Sequence, residues 1–319
     1  MSRKRKPTIT QLIMKQVNEN LKDVKYDKTK KQYVNHAKRF VAFCRTNFDC
    51  RTFDECIPHI QEYVDYLKAQ SYTPSTVHTH AVAITQAFKY PLKAIKKDKR
   101  KISEYTRGRG VDITKEKPTK SDLFDPKWES LVAFQRKTGL RRNDLYNLCG
   151  RNLKYDESQN LCIEIEKSKG AKYQLQRILP KDEGFIKSYF VSVGPDERVF
   201  KKELFNNNLN LHYFRAEHAK ECYEYYYEKT RRDPDFRKVM EQELRLRWQK
   251  YNIDKRTGKP KKFNEKLIIG NYYLRGDTKK MAIEKGLRTK YEKLIVLYIS
   301  TFFLSHWRLG VCVHSYLLA

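Results

Sequence analysis

The chain has 319 residues, 39% hydrophobic and 13% aromatic, with only 12 Gly and 10 Pro. This composition excludes a disordered or low-complexity protein and supplies apolar material for two domains of roughly 100–200 residues each. Against 38 Asp and Glu stand 67 Lys and Arg, a formal net charge of +29. Such an excess repels itself on a compact body and calls for a polyanionic partner. It is not confined to a tail, since residues 1–119 hold 26 basic and 12 acidic side chains and the remainder 41 and 26. Binding to nucleic acid would be dominated by counterion release and would fall steeply with salt.

The N-terminal stretch 8–90 reads as helical. Tyr33, Ala37, Phe40 and Val41 recur at helical spacing, as do Ile60, Tyr63, Val64 and Leu67. Thr73-Pro74-Ser75 opens a further helix carrying Val77, Ala81, Ile84 and Phe88, with proline in its first turn. His78 and His80 lie two apart, so they face different directions and do not form a metal pair. The seven cysteines include no CxxC pair. Cys44, Cys50 and Cys56 are evenly spaced, but wider than metal-ligand pairs, so all seven read as reduced thiols. Residues 1–110 are expected to be a helical DNA-binding domain and 111–120 a linker. A basic run ends that domain, and Lys96, Lys97, Lys99, Arg100, Lys101, Arg107 and Arg109 are candidates to strap across phosphates.

From 121 the character changes to mixed α/β. A helix around Trp128 to Arg136 leads into Thr138-Gly139-Leu140-Arg141, then a helix through Leu145 and Leu148. An arginine after a glycine turn, at the mouth of a helix, can present its planar fork to a phosphate, and Arg142 beside it is a further DNA contact. Leu161 to Glu166 and Tyr173 to Leu179 alternate as strands around Lys167-Ser168-Lys169-Gly170, a β-hairpin with Lys169 at its tip. The segment 208–228 reads as a helix on which His212 and Arg215 share one face. Residues 229–290 are charge-dense and read as a helical insertion. Leu294 to Leu304 is too short to span a bilayer, which takes ~20 residues, so it reads as a buried helix. The tail carries His306 and Tyr316. No secretory signal follows the basic start, so a cytoplasmic location is expected. No Gly-rich loop ending in Lys-Ser or Lys-Thr argues for an ATPase.

Arg, Lys, His-x-x-Arg, His and Tyr, in that order, resemble the tyrosine recombinase (phage integrase) family. The stretches that carry the resemblance are TGLRRNDLYNL, KSKGAKYQLQRILP, LHYFRAEHA and LSHWRLGVCVHSYLLA. It covers about residues 120–319, and the basic helical N-terminal part is similar in character to the family's core-binding domain. The chain departs from the family in the Glu217-His218 pair after Arg215, in the long gap between Arg215 and His306, and in the His306-to-Tyr316 spacing. The resemblance implies an α+β fold, mostly helical with a small β-hairpin or sheet, closing as a C-shaped clamp on duplex attachment sites as a homo-tetramer. It implies Tyr316 as a nucleophile giving a 3′-phosphotyrosyl link, for integration or excision of a mobile element in a bacterial or viral host cell. Arg141 and Arg215 would clamp the non-bridging oxygens, His306 would donate a hydrogen bond, His212 would move the phenol proton and Lys169 would protonate the leaving 5′-oxygen. Neither metal nor ATP is required. Other readings are a type IB topoisomerase or telomere resolvase, a decayed integrase that only binds DNA, and a metal-dependent transposase.

Overall fold

The computed structural model describes residues 7–98, 126–168, 172–206, 209–254 and 256–318. The chain forms two compact units, Met1–Glu104 and Tyr105–Ala319. Their boundary and the expected linker 111–120 lie outside the described residues, as do Lys99, Arg100, Lys101, Arg107, Arg109 and Lys169.

The first unit is helical: α1 (Ile9–Asn20), α2 (Asp27–Phe48), α3 (Phe53–Cys56), α4 (Ile60–Ala69) and α5 (Pro74–Ala87). Thr8 opens α1 with a capping box, its hydroxyl accepting from the Gln11 amide while the Gln11 side chain accepts from the Thr8 amide. Thr73 caps α5 with Pro74 in the first turn, as the sequence predicts. The apolar faces converge on one core that includes Ala37, Phe40 and Val41 of α2, Tyr63, Val64 and Leu67 of α4, and Val77, Ala81 and Ile84 of α5. His78 is exposed and His80 buried, on different faces. Lys96 is exposed and Lys97 half-buried at the end of this unit.

The second unit opens with α6 (Glu129–Thr138) and α7 (Arg142–Tyr146). An antiparallel sheet follows in the order β1 (Leu153–Tyr155), β2 (Leu161–Ser168), β3 (Lys172–Arg177). Then come α8 (Glu183–Ser188), α9 (Leu211–Arg232) and α10 (Phe236–Tyr251). A second antiparallel pair, β4 (Asn271–Tyr273) with β5 (Lys290–Glu292), brackets α11 (Gly276–Glu284). The chain ends with α12 (Lys293–Phe302), α13 (Leu309–Cys312) and a π-helical turn, Val313–Leu317. The fold is thus mostly helical with small antiparallel sheets. No helix among the described residues is long and apolar enough to cross a membrane.

Leu294 to Phe302 of α12 are buried without a break, so this helix is apolar all round because it is enclosed all round. Its core also takes in Met240 and Leu244 of α10, Ile268, Leu274 and Ala282. The region 229–290 therefore differs from the expected charged helical insertion. It is helical only in part, holds strand β4 and the first residue of β5, and contributes to the main core. Its apolar residues are sparse among charges, which hid them from a periodicity reading.

Candidate active site

The seat for Arg141 is built first. α6 ends at Gly139 in the left-handed region, φ 58°, and a Cβ there would lie 2.6 Å from His218 Cδ2. Glycine is required on both counts. The turn delivers Arg141 as the cap of α7, and its guanidinium donates to Gln174 Oε1 at 2.7 Å and Ser168 Oγ at 3.0 Å. Ser168 donates to Asp144 at 2.8 Å, and Asp144 lies 3.6 Å from Arg141. Gln174 in turn donates to Gln176 at 3.2 Å, and Gln176 to the Thr138 carbonyl. Both glutamines stand on one face of β3, two residues apart, as strand geometry requires. Burial, then the positive charge of Arg215, pulls the Arg141 pKa down, so this guanidinium gains from a nearby anion.

Arg215 lies in the first turns of α9 and is 0% exposed. It donates to the carbonyls of Gly139 and Leu304, and its Nε donates to Tyr316 Oη at 3.3 Å. No carboxylate pairs with it among the described residues. A buried cation held only by neutral groups is costly, so the site is arranged for a negative charge.

His212, one turn before Arg215, places its ring 5.2 Å from that of Tyr316. Asn210 caps this helix by accepting from the Tyr213 amide. His306 follows Ser305, a left-handed non-glycine residue at φ 51°, a conformation that clusters at functional sites. Its amide is fixed on the Ser300 carbonyl at 2.7 Å, and its ring stacks at 5.8 Å on Tyr316. Neither His306 ring nitrogen has a partner among the described residues. Burial, then Arg215, Arg141 and Arg308, pushes the His306 pKa down to about 3, so the imidazole is neutral at pH 7. Tyr316 is 5% exposed within the π-helical turn, a geometry common where function demands an offset side chain.

Five of the six expected residues, Arg141, His212, Arg215, His306 and Tyr316, thus meet at one point although 175 positions of sequence separate the first from the last. Lys169 lies outside the described residues. Ser168, which precedes it, is at the site through its bond to Arg141. Arg142, expected to contact DNA, is half-buried and donates to the carbonyls of Leu209 at 2.7 Å and Phe205 at 3.1 Å, tying down the chain that leads into α9. His218 is fully buried against Gly139 and Cys222, and burial followed by Arg215 pushes its pKa to about 3. It packs the Gly139 turn. Trp307 meets Trp248 edge to face at 5.1 Å, so it packs on α10. Tyr291 and Tyr298 are buried in the core.

Sequence reasoning missed Asp144, Ser168, Gln174 and Gln176. The one available signal was the pair of glutamines two apart on one strand. Compared with protein-family models and with curated proteins, the sequence matches none, and the functional reading stands on the chemistry of the site.

Proposed function

We propose that the chain is a site-specific DNA strand transferase that cleaves and rejoins duplex DNA through a phosphotyrosine at Tyr316. The observation that carries this reading is Arg215, fully buried, without a carboxylate among the described residues, and donating to the Tyr316 hydroxyl. A phosphodiester supplies the missing anion and the electrophile at once. Arg141 and Arg215 hold its non-bridging oxygens as negative charge develops there. The Tyr316 oxygen forms a bond to phosphorus as the bond to the 5′-oxygen breaks. His212 takes the phenol proton and the neutral His306 donates through a ring N–H. Lys169 gives a proton to the leaving 5′-oxygen. The phosphotyrosine conserves the phosphodiester bond energy, so a 5′-hydroxyl from another strand can reverse the step without ATP.

The net charge of +29 supports duplex DNA as the substrate. Exchange between two duplexes requires four such sites, hence a homo-tetramer on attachment sites, for integration or excision of a mobile element. The test uses a nicked duplex library randomised around the nick, incubated with the protein in EDTA and resolved on a denaturing gel. A covalent protein–DNA band is expected from the wild type and none from Tyr316→Phe. Absence of a band from a wild-type chain that shifts the same DNA on a native gel would refute the strand-transfer reading and leave a DNA-binding protein.

A further inference from the structure

One cluster of chemically competent side chains in the first unit has no part in strand transfer. Cys44, Cys50 and Cys56 are free thiols, 0%, 3% and 0% exposed. Their spacing in sequence argued against a shared ligand, yet their sulfur atoms lie within 4.8 Å of one another.

Interactions that do not involve sulfur bring them together. α2 ends at Phe48, and Asp49 adopts the left-handed conformation at φ 46°. The chain reverses, so that the Cys50 amide returns to the Cys44 carbonyl at 3.5 Å. Thr52 caps α3 by accepting from the Glu55 amide at 3.3 Å, and the Glu55 carboxylate accepts from the Arg51 amide at 2.7 Å. The loop is therefore fixed, and α3 carries Cys56 back beside Cys44. Among the described residues the thiols find only weak acceptors, the carbonyls of Cys56 at 4.0 Å, Glu55 at 3.4 Å and Thr52 at 3.4 Å. One buried cysteine behaves as a small apolar side chain. Three that converge on one point from a helix end, a turn and a second helix form a preorganised soft-ligand set.

We propose that Cys44, Cys50 and Cys56 together bind one thiophilic d10 cation, zinc(II) or copper(I). Thiolates are the ligands these ions select. A metal–sulfur distance of about 2.3 Å places coordinated sulfurs about 4 Å apart, so a side-chain shift of about 1 Å closes the set. No fourth His, Cys, Asp or Glu joins the group among the described residues. Copper(I) is satisfied by three thiolates, and zinc(II) would complete its shell with water. The bound ion cross-links the end of α2 to α3, and its binding free energy adds to the stability of this helical unit.

The test titrates the full-length protein, reduced with a phosphine, with cadmium(II) and follows the ultraviolet thiolate-to-cadmium charge-transfer band. The band is expected to saturate at one equivalent and Tm to rise with cadmium. Cys50→Ser should weaken the apparent affinity at least ~10-fold, whereas Cys149→Ser, outside the triad, should leave the titration unchanged. Competition then separates the two ions: zinc(II) or a copper(I) complex displaces cadmium, and displacement by neither overturns the assignment. A folded, reduced wild type with no saturable band and no rise in Tm overturns it too, as does equal titration of the Cys50→Ser and Cys149→Ser chains. Stoichiometry and Tm are read on the wild type, so a Cys50→Ser chain that does not fold leaves the test intact.

Discussion

Two arginines enclosed in the same unit keep opposite company. Arg177, at the end of β3, is 4% exposed and sits between Asp156 and Glu243, at 2.6 and 2.8 Å, with the Tyr298 hydroxyl at 2.7 Å. Burial opposes its charge, but Glu243, Tyr298 and Asp156 outweigh burial and hold its pKa above the usual arginine value. Arg215 is more deeply buried and, among the described residues, meets only two carbonyls and a phenol. The Arg177 network is complete in itself, and a complete buried ion network is a structural device. Arg215 has no carboxylate among the described residues, and in the proposed reaction the phosphodiester supplies its anion.

The largest expected effect is on chemistry. Tyr316→Phe should abolish covalent adduct formation, a loss on the order of 10⁴-fold or more, while stability changes by less than about 1.5 kcal/mol, since one hydrogen bond is removed. Adduct yield on a gel and a urea melt check the two halves separately.

The two arginines should then part company. Arg177→Met strands Asp156 and Glu243 and should cost about 3–5 kcal/mol of stability. Arg215→Met strands no carboxylate and should cost less than half as much, yet lower the cleavage rate by about 10²–10³-fold. Urea melts and single-turnover cleavage of both variants decide it. Equal destabilisation would remove the distinction on which the site assignment stands.

Gly139→Ala tests the turn that delivers Arg141. The left-handed backbone and the close His218 ring should together cost about 1–3 kcal/mol, read as a fall in Tm. Gln174→Leu is milder. It leaves the fold in place but frees Arg141 from its shortest hydrogen bond, and a rate loss of about 10-fold with little change in DNA affinity is expected. Gel shifts alongside cleavage rates test it.

The last prediction concerns pH. The His218 and His306 pKa values are pushed to about 3 and that of His80 to about 4, in each case first by burial. The unfolded chain takes up protons near pH ~6.5 that the folded chain refuses until far lower. Stability is therefore full above that pH and falls as acid is added. Between pH 7 and 5 each fully buried imidazole should remove at most about 2 kcal/mol. Denaturant midpoints at the two pH values measure the loss, and a midpoint that rises in acid would contradict it.

Much of this was legible in the sequence for a physical reason. α2, α4, α5 and α12 carry strong local signals, in periodic apolar faces, the Thr73-Pro74 start and one unbroken apolar run. The five residues that the structure brings together around Tyr316 were picked out because their types recur in that order in the family the sequence resembles. What stayed hidden depends on contacts far apart in the chain. Asp144 and Ser168 look like ordinary surface residues until the hairpin folds over α7. Gln174 and Gln176 were readable only as an oddity of strand alternation. Arg142 and the β4–β5 pair are set by packing partners no local window contains. The cysteine triad depends on one left-handed residue, Asp49, which shortens the path between thiols six positions apart.

In the proposed reaction Tyr316 becomes bonded to DNA. Trapping the adduct in EDTA, digesting protein and DNA, and sequencing the modified peptide by mass spectrometry tests it most directly. A single nucleotide-bearing peptide from the tail is expected, with the phosphate on Tyr316. A nucleotide on any of the other tyrosines, or a folded DNA-bound chain that carries none, would contradict it.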